Sequence, residues 1–137
     1  QVHLGTRGQK EMSEKMNQVV ELSHKFSFDS AHSLPNVPED HKCRRLHGHT
    51  FHIEVQVSGP VGETSGWVMD YGQLKEVVLP VIAMLDHRHL NEIDGLENPT
   101  SEHIAMWIWK RIADGLPGLS CVSIHETCNT GCHYRGS

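Results

Sequence analysis

The chain has 137 residues, with 12 Lys or Arg against 17 Asp or Glu, a formal net charge of −5 at pH 7. That length suits one domain with a real core, and 37% hydrophobic with 21% charged residues is ordinary for a globular protein. The mild acidity argues against a nucleic-acid binder, and the longest apolar stretch, Val77–Leu85, is broken by Pro80 and too short to span a bilayer.

Residues Gln1 to Gln18 hold only Val2, Leu4, Met12 and Met16 as hydrophobic side chains and show no period. They read as a disordered leader or added sequence, with Met12 or Met16 as a native start, ahead of a single domain over 19–137. No charged-then-apolar leader is present, so no secretory signal is expected. The expectation is a cytoplasmic protein with its four cysteines reduced.

From Val20 the pattern has period two, with Val20, Leu22, Phe26 and Phe28 on one face and Glu21, Ser23, Lys25 and Asp29 on the other. This predicts a half-buried antiparallel strand. A loop rich in Pro, Asp and Lys follows over 34–45. A second strand is expected from about His49 to Ser58, with Phe51, Ile53, Val55 and Val57 on its apolar face. Asp70 is placed to N-cap a helix whose apolar residues fall at Tyr71, Leu74, Val78, Val81 and Leu85, and Pro80 should kink or end it. Residues 98–101 cap a second helix running to about Ala113, with Ile104, Ile108 and Ile112 in a row and Gly115 as the stop. A strand near Cys121–Thr127 and a short partner at Cys132–Arg135 complete the order. The result is an α+β domain, ββααββ, with an antiparallel sheet.

Twelve histidines are the compositional excess, and their placement is informative. The apolar face of the first strand continues through Ser30 to His32, and that of the second continues backward through His49 to His47. If the two strands pair antiparallel, the end of the first lies beside the start of the second and the three imidazoles converge. Three neutral imidazoles suit a tetrahedral zinc with one open position, and a His-x-His pair on a strand points both rings to one side. Gly48 removes a side chain between them.

Cys43 lies four residues before His47 and has three readings: a fourth ligand closing a structural site, a thiol activated by zinc and basic neighbours, or an inert loop cysteine. On the last strand Val122 and Ile124 share a face whose next position is Glu126. An inward carboxylate needs a donor, such as the paired N–H groups of a heterocycle, unless the strand has already left the sheet. Asp86-His87 puts a carboxylate beside an imidazole, an arrangement that orients an acid–base histidine but also occurs on plain helix ends. The spacing of Cys128 and Cys132 fits free thiols, and Trp107 and Trp109 fit packing.

Together these residues resemble the 6-pyruvoyl-tetrahydropterin synthase family, and within it the bacterial 6-carboxy-5,6,7,8-tetrahydropterin synthase branch of queuosine biosynthesis. The matching segments are FSFDSAHSLP with His32, CRRLHGH from Cys43 to His49, GWVMDYGQLK from Gly66, LDHRHLN from Leu85, ENPTSE from Glu97 and HETCNTGCHYRG from His125. The resemblance implies that His32, His47 and His49 bind Zn2+, that Cys43 is a catalytic thiol, that His87 oriented by Asp86 is its acid–base partner, and that Glu126 anchors a pterin ring. It implies a tunnelling fold, with two helices on one face of the sheet and sheets of several subunits joined into a barrel, usually in a homohexamer. The implied substrate is 7,8-dihydroneopterin triphosphate, with Lys42, Arg44 and Arg45 as candidates for its phosphates. The implied products are 6-carboxytetrahydropterin, acetaldehyde and triphosphate, with neither nucleic acid nor membrane as a partner. The Cys-x3-His-Gly-His spacing resembles the carboxy branch. A 6-pyruvoyl-forming synthase is the alternative within the fold, and a zinc-stabilised binding module closed by Cys43 is the alternative outside it.

Overall fold

Alternation of apolar and polar residues builds the sheet. In the computed structural model, which describes residues 18–137, β1 (Val19–His32) and β2 (His47–Pro60) pair antiparallel over their full length. Phe26 faces Ile53 and Phe28 faces Phe51, whose rings stack with centroids 4.9 Å apart. β3 (Leu119–His125) adds to the far side of β2 with Val122 opposite Val55 and Ile124 opposite Ile53, and β4 (Cys132–Tyr134) closes the order β1-β2-β3-β4. The apolar parity of all three long strands therefore falls on one face. The expectation for the leader concerns residues 1–17, which lie outside the described residues.

Helices α1 (Tyr71–Leu85) and α2 (Ser101–Ile112) cover that face. Leu74, Val78, Val81, Ile82 and Leu85 of α1 are buried, as are Ile104, Ala105, Trp107, Ile108 and Ile112 of α2, the three-and-four spacing of an apolar stripe. Each helix begins at a side-chain cap. The Asp70 carboxylate accepts from the Gly72 N–H at 3.0 Å, and the Thr100 hydroxyl accepts from the His103 N–H at 3.1 Å. Full burial of one such Leu or Ile stabilises by about 1.5–3 kcal/mol, so the stripes, and not the caps, dominate the helices' attachment.

Three boundaries differ from the sequence expectation. α1 runs through Pro80 to Leu85 instead of ending early. Pro80 and Glu76, whose carbonyl loses its helical partner, are both exposed, so that carbonyl is not sealed in the core and the break is tolerated. β2 starts at His47, two residues sooner than predicted, because its ladder with β1 continues to the pair His32–His47. β3 ends at His125, so Glu126 is the first residue beyond the strand. Among the described residues no helix is long and apolar enough to cross a membrane.

Candidate active site

The β1–β2 ladder places three imidazoles at one end of the sheet. His32 is the last residue of β1 and sits opposite His47, while His49 sits opposite Ser30. Ring centroids lie 4.6 Å apart for His32–His47, 5.1 Å for His32–His49 and 4.8 Å for His47–His49, and one ring nitrogen of each lies within 4.8 Å of the others. The edge of Phe51 packs under two of them, 5.3 Å from His32 and 5.4 Å from His49.

Hydrogen bonding orients the rings. His32 Nδ1 lies 2.7 Å from the Pro99 carbonyl, and His47 Nδ1 lies 2.7 Å from the Arg45 carbonyl. A carbonyl only accepts, so each Nδ1 carries the proton and each neutral ring presents an unprotonated Nε2. His32 is 1% exposed, and its Nε2 is buried with no hydrogen-bond partner. Burial also pushes the His32 pKa below the usual 6.5, which the Pro99 carbonyl only partly opposes. A buried lone pair without a donor, flanked by two further imidazoles, is the donor set that Zn2+ takes in its three-histidine sites.

Glu126 stands at the edge of this cluster. One carboxylate oxygen accepts from the Ser101 hydroxyl at 2.9 Å, and the other lies 3.9 Å from His49 Nε2. Although β3 has ended, the carboxylate keeps the inward direction of the Val122 and Ile124 parity and is half-buried.

Cys43 lies in a short 3-10 turn, Lys42–Arg44, on the loop between β1 and β2. Its N–H donates to His41 Nδ1 at 3.0 Å, its carbonyl accepts from the Leu34 N–H at 2.8 Å, and its thiol is free and half-buried. Among the described residues it does not join the three histidines in the group whose ligand atoms lie within 4.8 Å of one another. Arg44 turns inward on its own loop, donating to the carbonyls of Pro35 at 3.1 Å and Val37 at 2.9 Å. Its guanidinium is thus committed to loop structure although the residue is exposed, as Lys42 and Arg45 are.

Asp86 caps the C-terminus of α1, and its carboxylate lies 2.9 Å from His87 Nδ1 while accepting from the Asp29 N–H at 3.0 Å. The Asp29 N–H first, and His87 second, hold the Asp86 carboxyl below the usual range. It therefore stays ionised and fixes the Nδ1–H tautomer of His87. The His87 imidazole is 78% exposed and borders a shallow depression together with His49, Gly48 and Thr50.

Sequence reasoning missed the partners that aim these groups. Pro99 and Arg45 act through main-chain carbonyls, which leave no side-chain signature, and Ser101 was read only as part of a helix cap.

An α+β domain carries at one sheet end three histidines whose ring nitrogens could hold a metal ion, with an inward glutamate beside them. The chain belongs to the 6-pyruvoyl tetrahydropterin synthase family, whose model matches residues 21–137. It is 44% identical over 115 residues to the 6-carboxy-5,6,7,8-tetrahydropterin synthase of Synechocystis, covering 80% of this chain and 88% of that protein. It is 46% identical over 97 residues to the dihydroneopterin monophosphate aldolase of Pyrococcus furiosus, covering 71% and 78%. The structure of Caenorhabditis elegans 6-pyruvoyl tetrahydropterin synthase superposes with a TM-score of 0.81 at 28% identity, covering 88% of this chain and 97% of that one.

Proposed function

We propose that the protein is a zinc-dependent 6-carboxy-5,6,7,8-tetrahydropterin synthase acting in the cytoplasm on the route to queuosine. It converts 7,8-dihydroneopterin triphosphate and one water into 6-carboxy-5,6,7,8-tetrahydropterin, acetaldehyde and triphosphate. The observation that carries this reading is the cluster of His32, His47 and His49, with the unpartnered His32 Nε2 at its buried side and the Glu126 carboxylate at its rim.

His32, His47 and His49 would hold the metal, their Nδ1–H groups tied to carbonyls where the structure gives them. A zinc ion held there supplies Lewis-acid stabilisation of negative charge on oxygen. The Glu126 carboxylate binds the paired N–H groups of the pterin ring, with Ser101 aligning one of its oxygens. Cys43 and His87 move protons at the side-chain carbons during internal redox and carbon–carbon cleavage, and Asp86 holds the His87 tautomer that accepts at Nε2. Assembly into a homohexamer, with sheets joined into a barrel, covers the free edges of β1 and β4 and brings a second copy against the exposed His87.

The aldolase relative favours a second reading, cleavage of a monophosphate side chain at the same site. The Cys43-x3-His47-Gly48-His49 spacing supports the carboxy branch over a 6-pyruvoyl-forming synthase, and product analysis separates it from the aldolase. Substitution Cys43→Ala tests the enzyme reading. The variant is expected to keep its zinc and lose turnover; loss of zinc with a thiol that resists alkylation while metal is bound would make the protein a closed zinc-binding module instead.

A further inference from the structure

Ser30 is a buried polar residue on the apolar face of β1, between Phe28 and His32. An inward hydroxyl among apolar neighbours needs partners, and both of its partners lie in the turn that carries His87. The Ser30 hydroxyl donates to the carbonyl of Leu85, the last residue of α1, and accepts from the Arg88 N–H at 3.1 Å. It thus bridges the turn from beneath, bonding main chain on both sides of Asp86 and His87.

The turn between those two bonds is strained. His87 has φ +56°, in the left-handed region that non-glycine residues adopt rarely and keep only when their surroundings impose it. Main-chain bonds tie the same segment to β1. His87 N–H donates to the Asp29 carbonyl at 2.6 Å, and Ala31 N–H donates to the Arg88 carbonyl at 3.0 Å. Ser30 is, among the described residues, the one β1 side chain that bonds the main chain of the turn.

We propose that Ser30 is a positioning residue for the reaction, its hydroxyl holding the Asp86–His87 turn in the left-handed conformation from which the His87 imidazole works. The inference rests on the reading of His87 as an acid–base group, and its geometric half stands apart from that reading. The hydroxyl satisfies an orphan helix-terminal carbonyl and a loop N–H with one atom, so no hydrophobic replacement of similar size can do both.

The test uses zinc-loaded full-length Ser30→Ala, with Ser30→Thr and Ser30→Val as an isosteric pair that differs only in the hydroxyl. Steady-state kinetics with 7,8-dihydroneopterin triphosphate, zinc content, and amide hydrogen exchange at His87 and Arg88 are measured on each. Ser30→Ala is expected to lower kcat by about 10- to 100-fold, the scale of an ångström-level misplacement. KM should stay within about twofold, zinc content should not change, and exchange at Arg88 should rise. Ser30→Thr should recover kcat relative to Ser30→Val. In a His87→Asn background, Ser30→Ala should cost nothing further, whereas a merely structural role would subtract again. If exchange rises but Ser30→Ala turns over at the wild-type rate while His87→Asn is inactive, the positioning role is overturned and the reading of His87 stands. If His87→Asn itself keeps full turnover, that reading is overturned and the positioning role falls with it.

Discussion

Removing one imidazole from the cluster should abolish most of what zinc adds to the fold while barely touching the fold itself. His47 is the residue to choose because it is half-buried, whereas His32 is sealed at 1% exposure and its loss would open the core. The described residues, 18–137, number about 120. At about 2.1 cal/mol/K of unfolding entropy per residue the total is roughly 250 cal/mol/K, so ~1 kcal/mol moves Tm by about 4 °C. Free zinc at about 1,000 times Kd stabilises by about 4.1 kcal/mol, a rise of roughly 16 °C. Loss of a group that merely supports a ligand weakens metal binding by about 10- to 100-fold, so loss of the ligand itself should weaken it by ~100-fold or more. At the same zinc concentration the stabilisation then falls to about 1.4 kcal/mol or less, ~6 °C at most. The assay is thermal unfolding of wild type and His47→Ala, at one protein concentration, with chelator and with zinc. The metal-free proteins should unfold within about 4 °C of each other. A zinc-induced rise in His47→Ala equal to that of wild type would refute the three-histidine centre.

Glu126→Gln keeps the shape of the carboxylate and removes its charge. With charge-assisted hydrogen bonds worth about 1.5–3 kcal/mol, binding of the pterin substrate should weaken by about 10- to 100-fold at unchanged zinc content. Calorimetry showing wild-type affinity would remove Glu126 from the pocket. The metal-free protein should lose stability as pH falls through about 6.5, because burial holds folded His32 below that value and the unfolded chain takes up the proton first. The contribution is intact above 6.5 and is lost progressively toward the depressed folded value. A Tm that stays level between pH 7 and 5 would contradict it.

The strands and the convergence of the three histidines were legible because both depend on period two. His32, His47 and His49 stand out only when the apolar parities of two strands are extended past the last hydrophobic residue, and the observed ladder has that register to the final pair. Glu126 was legible for the same reason, since one residue beyond β3 the chain had not yet turned away. Pro80 misled because its cost depends on whether Glu76 faces water, which a sequence pattern at that point does not specify. The orienting contacts of Pro99, Arg45 and Ser30 escaped notice because they are made by main-chain carbonyls or by a small hydroxyl, which leave no side-chain pattern. Cys43 remained divided among three readings because a loop thiol's neighbours follow from the path of the loop, and no period governs that path.

The central claim is the reaction. Zinc-loaded protein incubated with 7,8-dihydroneopterin triphosphate, with products read by mass spectrometry, tests it most directly. The account predicts 6-carboxy-5,6,7,8-tetrahydropterin with acetaldehyde and triphosphate. A 6-pyruvoyl product, or no turnover by protein that holds its zinc, would contradict it.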